Sequence, residues 1–253
     1  MYKIERQEKI LEYVNKKKRA SIIELSEMFQ VSKVTIRSDI DELAMKGLVN
    51  KTHGGVVNNE IGISSEIPYE IKNQSKTKEK QKIAKEALKY IEKNDVIILD
   101  SGSTTFRLVE GLPDDITVIT TDILLAVEII KCGKRARILV PGGEINKTVY
   151  TMEGNDAMRF FGNVHADKLF LGCDAIDFDV GVTDRSLEYS EIKRAMVEAS
   201  SQVFLLTDSS KFDSILLKKV CPLERLDMII TDQMDEQAKE KCRLANVQVR
   251  VVQ

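Results

Sequence analysis

A chain of 253 residues that is 43% hydrophobic and 31% charged has room for one large domain or two ordinary ones and the composition of a globular protein. Its apolar runs are far shorter than the ~20 residues of a membrane-spanning helix, and its charged N-terminus has no apolar signal-peptide core, so neither a membrane protein nor a secreted protein is expected. The four cysteines and two histidines lack the spacing of a zinc site. The sequence therefore predicts a cytoplasmic protein with free thiols, without a metal or a cofactor.

The net charge of −2 is unevenly distributed along the chain. Residues 1–57 hold 11 Lys and Arg against 8 Asp and Glu, whereas the remaining residues hold 27 against 32. A weakly basic N-terminal segment on an acidic body is typical of a DNA-binding domain joined to a domain that does not contact DNA.

Three helices are predicted near the N-terminus. Residues 4–18 place apolar side chains on one face, which favours a first amphipathic helix. Ser21, followed three residues later by Glu24, has the spacing of a capping box and predicts the start of a second helix. A turn at Val31 and a cap at Ser32 then predict a third helix close behind the second. This order is that of a helix-turn-helix.

The third helix has the pattern of a helix that enters the DNA major groove. Ile36, Ile40 and Leu43 recur at helical spacing and predict a buried stripe. Gly47 is expected to end the helix. Short polar side chains and Arg37 occupy the opposite face, where they can reach base edges and phosphates, and a β-hairpin wing is predicted to follow. The candidate DNA-binding residues on helix and wing are Ser32, Lys33, Thr35, Arg37, Ser38, Lys51, Thr52, His53 and Gly54.

A helical hairpin that binds another protein is the alternative for this segment, but cap, turn, apolar stripe, polar face and wing together favour DNA. The runs VSKVTIRSDI at residues 31–40 and KTHGG at residues 51–55 resemble the V-S-x-x-T-I-R-R-D-L and R-x-H-G-G signatures of the DeoR family of bacterial transcription regulators. Ser38 and Lys51 stand where the family has arginines, so the family's base preference does not transfer to this chain.

The rest of the chain predicts an α/β domain. Residues 58–78 are polar and are expected to link two domains, at residues 1–57 and 79–253. Apolar β-type runs then alternate with helical segments, which favours a largely parallel sheet with helices on both faces. The predicted strands are residues 96–99, 116–120, 136–140, 168–171, 203–207, 228–231 and 247–252, and the predicted helices are residues 104–111, 123–132, 156–161, 188–200 and 236–245.

Polar loops follow five of these strands, at residues 100–105, 120–122, 141–144, 172–177 and 208–212, and three of the five contain glycine. The first leads from a strand into a helix, so its backbone N–H groups form a natural anion site. Each loop alone has the composition of an ordinary turn. In parallel sheets, however, the carboxyl ends of the strands meet at one edge, where ligands bind. The five loops together therefore predict a pocket for a small, hydroxylated, anionic molecule.

The body of the chain also resembles the sensor domain of the DeoR family. The matching segments are residues 100–105, 120–122, 142–143, 167–170, 181–183, 193 and 208–212. The resemblance implies a fold shared with ribose-5-phosphate isomerase and coenzyme A transferases, and a sugar-phosphate effector. Residues 174–178, 181–183 and 208–212 look most similar to the glucitol operon repressor branch of the family.

The same resemblance assigns roles to individual residues. It implies that residues 101–105 and Lys211 hold the phosphate and that Asp174 and Lys193 face the sugar. With the loops above, the candidate effector-binding residues are Asp100, Ser101, Gly102, Ser103, Thr104, Thr105, Thr121, Asp122, Gly142, Gly143, Asp174, Lys193, Asp208 and Lys211.

Two functions remain open: a ligand-controlled transcription regulator, and a sugar-phosphate isomerase with a DNA-binding appendage. Gly172-Cys173-Asp174 is similar to the Gly-Ala-Asp of the isomerase active site, where a carboxylate acts as general base. The isomerase has a glutamate directly after that aspartate, whereas this chain has Ala175, so no catalytic residue is predicted. We expect a repressor of a sugar or sugar-alcohol operon whose partners are operator DNA, a phosphorylated sugar or sugar alcohol, and further copies of the chain in a dimer or tetramer.

Overall fold

The computed structural model describes residues 2–45, 48–58 and 67–252. The chain divides into two compact units, Met1–Ser75 and Lys76–Gln253. The boundary therefore lies within the segment expected as a linker. The predicted helix end at Gly47 lies outside the described residues.

The N-terminal unit is a winged helix-turn-helix with a three-stranded antiparallel sheet of order β1-β3-β2. Its elements are α1 (Lys3–Lys17), β1 (Arg19–Ser21), α2 (Ile22–Phe29), α3 (Lys33–Met45), β2 (Val49–Thr52) and β3 (Gly55–Asn58). The predicted capping box is present, because Ser21 Oγ accepts from the Glu24 amide at 3.0 Å and Glu24 Oε2 accepts from the Ser21 amide at 3.2 Å. The predicted stripe of Ile36, Ile40 and Leu43 is buried.

A short helix, α4 (Tyr69–Gln74), belongs to the same unit. It packs against α1, and the side chains of Ile67 and Tyr69 are buried. Ser75 Oγ donates to Glu8 Oε1 of α1 at 3.0 Å. Residues 67–75 of the polar connecting segment therefore pack as part of the N-terminal unit.

The second unit is built on a parallel sheet of order β15-β14-β12-β9-β4-β5-β6. In chain order its elements are α5 (Thr77–Ala87), β4 (Val96–Leu99), β5 (Thr117–Ile119), α6 (Ile123–Lys131), β6 (Arg137–Leu139), β7 (Glu144–Asn146), β8 (Thr151–Glu153), α7 (Asn155–Phe161), β9 (Ala166–Leu171), β10 (Ala175–Asp177), β11 (Gly181–Asp184), α8 (Leu187–Glu198), β12 (Ser200–Leu206), β13 (Lys218–Cys221), β14 (Met228–Thr231), α9 (Glu236–Leu244) and β15 (Gln248–Val251). The seven strands of this sheet are those predicted from the apolar runs, and the α/β fold class is confirmed.

Helices cover both faces of the sheet, as the unbroken apolar strands predict. On one face, Ile97 and Leu99 of β4 join a buried cluster with residues of α5 and α6. On the other, Ile98 of β4 and Leu169 of β9 join a cluster with residues of α7, α8 and α9. Successive side chains along each strand thus point alternately into two separate cores, and the loops lie at the carboxyl edge of the sheet.

Three features differ from the sequence-based expectation. The segment expected as a helix at residues 104–111 is a 3₁₀-helix, Thr105–Gly111, in which the Arg107 amide donates to the Thr104 carbonyl at 3.1 Å. A hairpin of β7 and β8 and a small sheet of order β10-β11-β13 lie where loops were expected. Their strands are three or four residues long, too short for a periodic signal.

Candidate DNA-binding surface and effector site

The start of α3 presents the predicted groove-facing side chains. Lys33, Arg37 and Ser38 are exposed. The hydroxyls of Ser32 and Thr35 lie 2.9 Å apart, and Ser32 Oγ also accepts from the Thr35 amide at 3.1 Å. Ser32 therefore caps α3 as predicted and fixes the first turn of the helix, where short polar side chains can approach base edges.

The wing turns its tip to solvent beside α3. Lys51, Thr52, His53 and Gly54 are exposed, and Lys51 forms an ion pair with Asp41 of α3. That pair joins the wing to the recognition helix, so the structure brings together the helix and wing residues predicted to contact DNA. An exposed pair of this kind is weak and can be exchanged for a phosphate.

Gly55 has a different role from Gly54. A Cβ on Gly55 would lie 2.2 Å from the Ala20 carbonyl oxygen, because β1 runs directly against β3 at this point. A Cβ on Gly54 would meet nothing within 4 Å. Gly55 is therefore required by sheet packing, whereas Gly54 leaves the main chain of the wing tip accessible.

In the second unit, Asp100 is the centre of a hydrogen-bond network at the carboxyl edge of the large sheet. It follows β4 and has no exposed surface. Its Oδ1 accepts from the Ser101 amide at 2.8 Å and from the Tyr189 hydroxyl at 2.9 Å, and its Oδ2 accepts from the Gly172 amide at 2.9 Å. One carboxylate thus holds the loop after β4, the loop after β9 and helix α8 together.

Lys193 of α8 balances this carboxylate. Its Nζ lies 3.2 Å from Asp100 Oδ2 and 2.7 Å from Asp184 Oδ2, and it donates to the Gly172 carbonyl at 3.0 Å. Burial disfavours the ammonium, but the nearby charges of Asp100, Asp184 and Asp174 outweigh it and raise the pKa of Lys193 well above its usual value. Lys193 and Asp100 therefore form the buried base of the candidate site.

The loop after β5 joins the same network. Thr121 Oγ1 lies 2.7 Å from the Tyr189 hydroxyl, and Asp122 caps α6 by accepting from the Leu125 amide at 3.0 Å. Burial raises the pKa of Asp122 to about 6, although the Leu125 amide and the Ser101 side chain oppose that rise. Tyr189 thereby connects the loops that follow two neighbouring strands.

The loop at residues 100–105 is partly open to solvent. Ser101 and Gly102 are half-buried, whereas the side chains of Ser103, Thr104 and Thr105 are buried. Gly102 has a φ of 150°, which favours glycine. Backbone groups at the start of this loop, rather than its three buried side chains, are thus the accessible part.

The loop after β12 is joined to the loop after β9. Ile176 and Phe212 form an isolated parallel bridge, and Cys173 Sγ donates to Thr207 Oγ1 at 3.4 Å. Asp208 accepts from the Ser210 amide at 3.2 Å and, through its carbonyl, from the Lys211 amide at 3.1 Å. The half-buried Lys211 therefore sits in a short, hydrogen-bonded turn beside residues 174–177.

Gly142 and Gly143 open the hairpin of β7 and β8. A Cβ on Gly143 would lie 2.2 Å from the Glu153 carbonyl oxygen, so this glycine is needed for close strand packing. The hairpin docks on the loop after β5, because the Met152 amide donates to the Thr121 carbonyl at 2.9 Å. The two glycines thus belong to a hairpin that contacts the candidate site at Thr121.

Three site residues were not found from the sequence: Asp184, Arg185 and Tyr189. Arg185 Nε lies 3.6 Å from Asp174 Oδ2, and both side chains are largely buried. Tyr189 precedes Lys193 by four residues on α8, so helical spacing could have placed the two on one face. Asp184 ends β11, whose pairing with β13 only the fold reveals, and Arg185 follows directly after it.

Neither unit, as far as it is described, holds a group of three or more histidine, cysteine, aspartate or glutamate side chains arranged for a metal ion. In the same described segments, no helix is long and apolar enough to cross a membrane.

One unit holds a recognition helix and a wing, and the other holds polar loops at one edge of its sheet. Together these features define a DNA-binding regulator with a ligand-sensing domain. Residues 6–61 match the DeoR-like helix-turn-helix domain, and residues 75–233 match the DeoR C terminal sensor domain. The chain belongs to the DeoR family of transcriptional regulators. Its family identifies it as a regulator rather than an enzyme.

Relatives of similar length support this assignment. The chain is 32% identical over 231 residues to the transcriptional repressor AccR of Agrobacterium fabrum, which covers 90% of this chain and 89% of AccR. It is 30% identical over 252 residues to the regulator GlpR of Haloferax volcanii, covering 98% of each chain. It is 29% identical over 228 residues to the L-fucose operon activator of Haemophilus influenzae, covering 90% of this chain and 91% of that protein.

Among solved structures, ribose 5-phosphate isomerase A of Methanocaldococcus jannaschii overlaps 55% of each chain, with 17% sequence identity and a TM-score of 0.41. The resemblance to the glucitol operon repressor branch stays a prediction.

Proposed function

We propose that the protein represses an operon for the use of a sugar or sugar alcohol, and that a phosphorylated sugar bound in the C-terminal unit controls its affinity for operator DNA. The observation that carries this proposal is the joining of loops from different strands around Asp100. The loops that follow β4, β5 and β9 are hydrogen-bonded to one another through Asp100 and Tyr189. Such an arrangement supports a preorganised ligand site at the carboxyl edge of the sheet.

In this proposal the phosphate binds where the loop after β4 begins. The Ser101 amide is already bound to Asp100, so the donors for phosphate oxygens are the backbone N–H groups that follow it, from the partly open Gly102 onward. Lys211 supplies a positive charge from the loop after β12. Asp100 and Lys193 act beneath the ligand, because their charged atoms are already bound to each other and to backbone groups.

For DNA binding, the exposed side chains at the start of α3 read the major groove and the wing binds phosphates. Arg37 is the residue with reach to a guanine edge, and Lys51 and Thr52 lie on the wing. The protein acts as a homo-oligomer, which places two recognition helices on repeated half-sites. The effector changes DNA affinity only through its different affinity for the two states of the regulator.

The names of two relatives support the repressor and sugar parts of the proposal. AccR is named as a transcriptional repressor, and the Haemophilus influenzae relative is named for an L-fucose operon. That second protein is named an activator, whereas AccR is named a repressor.

A thermal-shift screen of the full-length chain tests the effector class. Phosphorylated sugars and sugar alcohols are compared with the same compounds without phosphate. A specific ligand raises the melting temperature by mass action, and we expect the rise only with a phosphorylated compound. An equal rise with the dephosphorylated compound would contradict a phosphate site.

A further inference from the structure

Arg185 directly follows Asp184, a residue of the buried network, and directly precedes the N-cap of α8. Its amide donates to Asp184 Oδ1 at 2.7 Å, and the other oxygen of Asp184 lies 2.7 Å from Lys193 Nζ. On the other side, Ser186 caps α8 by accepting from the Tyr189 amide at 3.0 Å. Arg185 therefore lies between Asp184, which binds Lys193, and the residue that caps α8.

The guanidinium of Arg185 retains donor capacity. Its Nε stands 3.6 Å from Asp174 Oδ2, which is beyond hydrogen-bond distance, and the two side chains are 13% and 8% exposed. This buried Nε has no hydrogen-bond partner among the residues that the structure describes. A buried N–H without a partner is costly, so its retention points to a group that completes the site.

Asp174 and Arg185 lie next to the proposed phosphate loop. Asp174 is two residues beyond Gly172, and a Cβ on Gly172 would be 3.3 Å from the Ser101 carbonyl oxygen. On the other side, the bridge between Ile176 and Phe212 brings the loop of Lys211 alongside. A molecule held by its phosphate at Ser101 would therefore extend its carbon chain toward Arg185.

We infer that Arg185 is a specificity-determining residue of the effector site, which donates to hydroxyl oxygens of the sugar chain while Asp174 accepts from them. The inference rests on the proposed function. A carboxylate and a guanidinium together carry no net charge, so they favour a neutral polyol segment over a second anionic group. Their planar, two-pronged groups suit adjacent hydroxyls, and lysine lacks that fork.

The test measures affinities of the full-length protein and its variants by calorimetric titration. The probes are D-ribose 5-phosphate, D-glucitol 6-phosphate, D-fructose 1,6-bisphosphate and inorganic phosphate. Arg185→Gln, which keeps a polar side chain of moderate length, and Arg185→Lys are compared with Arg159→Ala, which removes an exposed arginine of α7. Circular dichroism confirms that each variant is folded.

We expect wild type to bind a monophosphate more tightly than the bisphosphate. Arg185→Gln should weaken that monophosphate by about tenfold or more, and Arg185→Lys by less, while inorganic phosphate binds both as it binds wild type. Arg159→Ala should match wild type for every probe. Equal monophosphate affinity in Arg185→Gln and wild type would overturn the inference, as would an equal loss for inorganic phosphate, which indicates a merely structural role. If wild type binds neither these three sugar phosphates nor any phosphorylated compound of the thermal-shift screen, the proposed function fails and the inference with it.

Discussion

Arg6 and Asp39 form a buried, two-pronged ion pair that joins α1 to α3. Arg6 Nε donates to Asp39 Oδ2 at 2.6 Å and Nη2 donates to Oδ1 at 3.2 Å, and the side chains are 8% and 1% exposed. Asp39 belongs to the family-like run that contains Arg37. Asp39 sets the orientation of the recognition helix through this pair. Arg37, two residues earlier in the same motif, is exposed and available to contact DNA.

Replacing Arg6 with alanine should destabilise the N-terminal unit by about 3–5 kcal/mol, because the Asp39 carboxylate is left buried without its partner. Hydrogen exchange of the α3 amides in the full-length protein measures this loss. The matched control is Lys9→Ala, which removes an exposed pair with Glu5 and should change exchange little. Equal protection of α3 in both variants would show that the buried pair does not hold the helix.

Arg37 and Lys51 should contribute to DNA binding in different ways. Arg37→Ala should lose about 1–3 kcal/mol on the preferred sequence and relax the preference at one position. Lys51→Ala should weaken binding to all sequences and reduce the salt dependence by the equivalent of one phosphate contact. To separate these two contributions, sequences are first selected from a random library by the full-length protein. The affinity of each variant for them is then measured over a range of salt concentrations.

Asp41 offers a control for that experiment, because it pairs with Lys51. Asp41→Asn removes the competing carboxylate and should strengthen binding to all sequences alike. A change in sequence preference in Lys51→Ala or in Asp41→Asn would count against a backbone role for Lys51.

The two wing glycines give a matched pair of substitutions. Gly55→Ala should destabilise the wing, because its Cβ would lie 2.2 Å from the Ala20 carbonyl oxygen and β1 would have to move. Gly54→Ala has open space and should keep the melting temperature of wild type. If the Gly54 backbone approaches a phosphate closely, Gly54→Ala should still weaken DNA binding. A melting temperature that falls equally in both variants would contradict this assignment.

Asp122 should make stability depend on pH. Its pKa rises from 3.8 in the unfolded reference to about 6 in the fold, mainly through burial. Between about pH 4 and 6 the unfolded chain therefore loses a proton that the folded chain keeps, and stability falls as pH rises, by about 3 kcal/mol in total at pH 7. Asp122→Asn stays neutral and can still accept from the Leu125 amide.

Urea unfolding at several pH values tests this sign. Relative to wild type, Asp122→Asn should gain stability as pH rises from 4 to 7, with most of the change below about pH 6. A difference that is constant across this range would show that the carboxyl group titrates normally.

Much of the fold was predictable because its signals are local. The strands of the large sheet are apolar runs such as Val96–Leu99 and Met228–Thr231, whose bounds agree with prediction to the residue. The caps at Ser21 and Ser32 act over three residues, a spacing readable in the sequence. The hairpin of β7 and β8 was not predictable, because its three-residue strands are stabilised by docking on Thr121 rather than by their own pattern.

The candidate site was predictable in part for the same reason. The loops were found because each follows a predicted strand, and the fold places their starts at one sheet edge. The sequence could not show how deeply each candidate side chain is buried. In the sequence, Asp100, Lys193 and Asp174 are equivalent polar candidates. In the structure, Asp100 has no exposed surface, Lys193 is 4% exposed, and the two bind each other. Contacts between residues about ninety positions apart, such as Asp100 and Tyr189, arise only from the tertiary structure.

The most direct test of the central claim is the affinity of the full-length protein for a selected operator fragment, measured by fluorescence anisotropy with and without a saturating sugar phosphate identified in the thermal-shift screen. We expect the ligand to change the Kd by at least about fivefold in wild type, as a coupling of about 1 kcal/mol or more requires. Lys211→Ala should bind DNA like wild type without ligand and show no response at the same ligand concentration. A wild-type Kd that is the same with and without a ligand shown to bind would contradict a regulator controlled by that site.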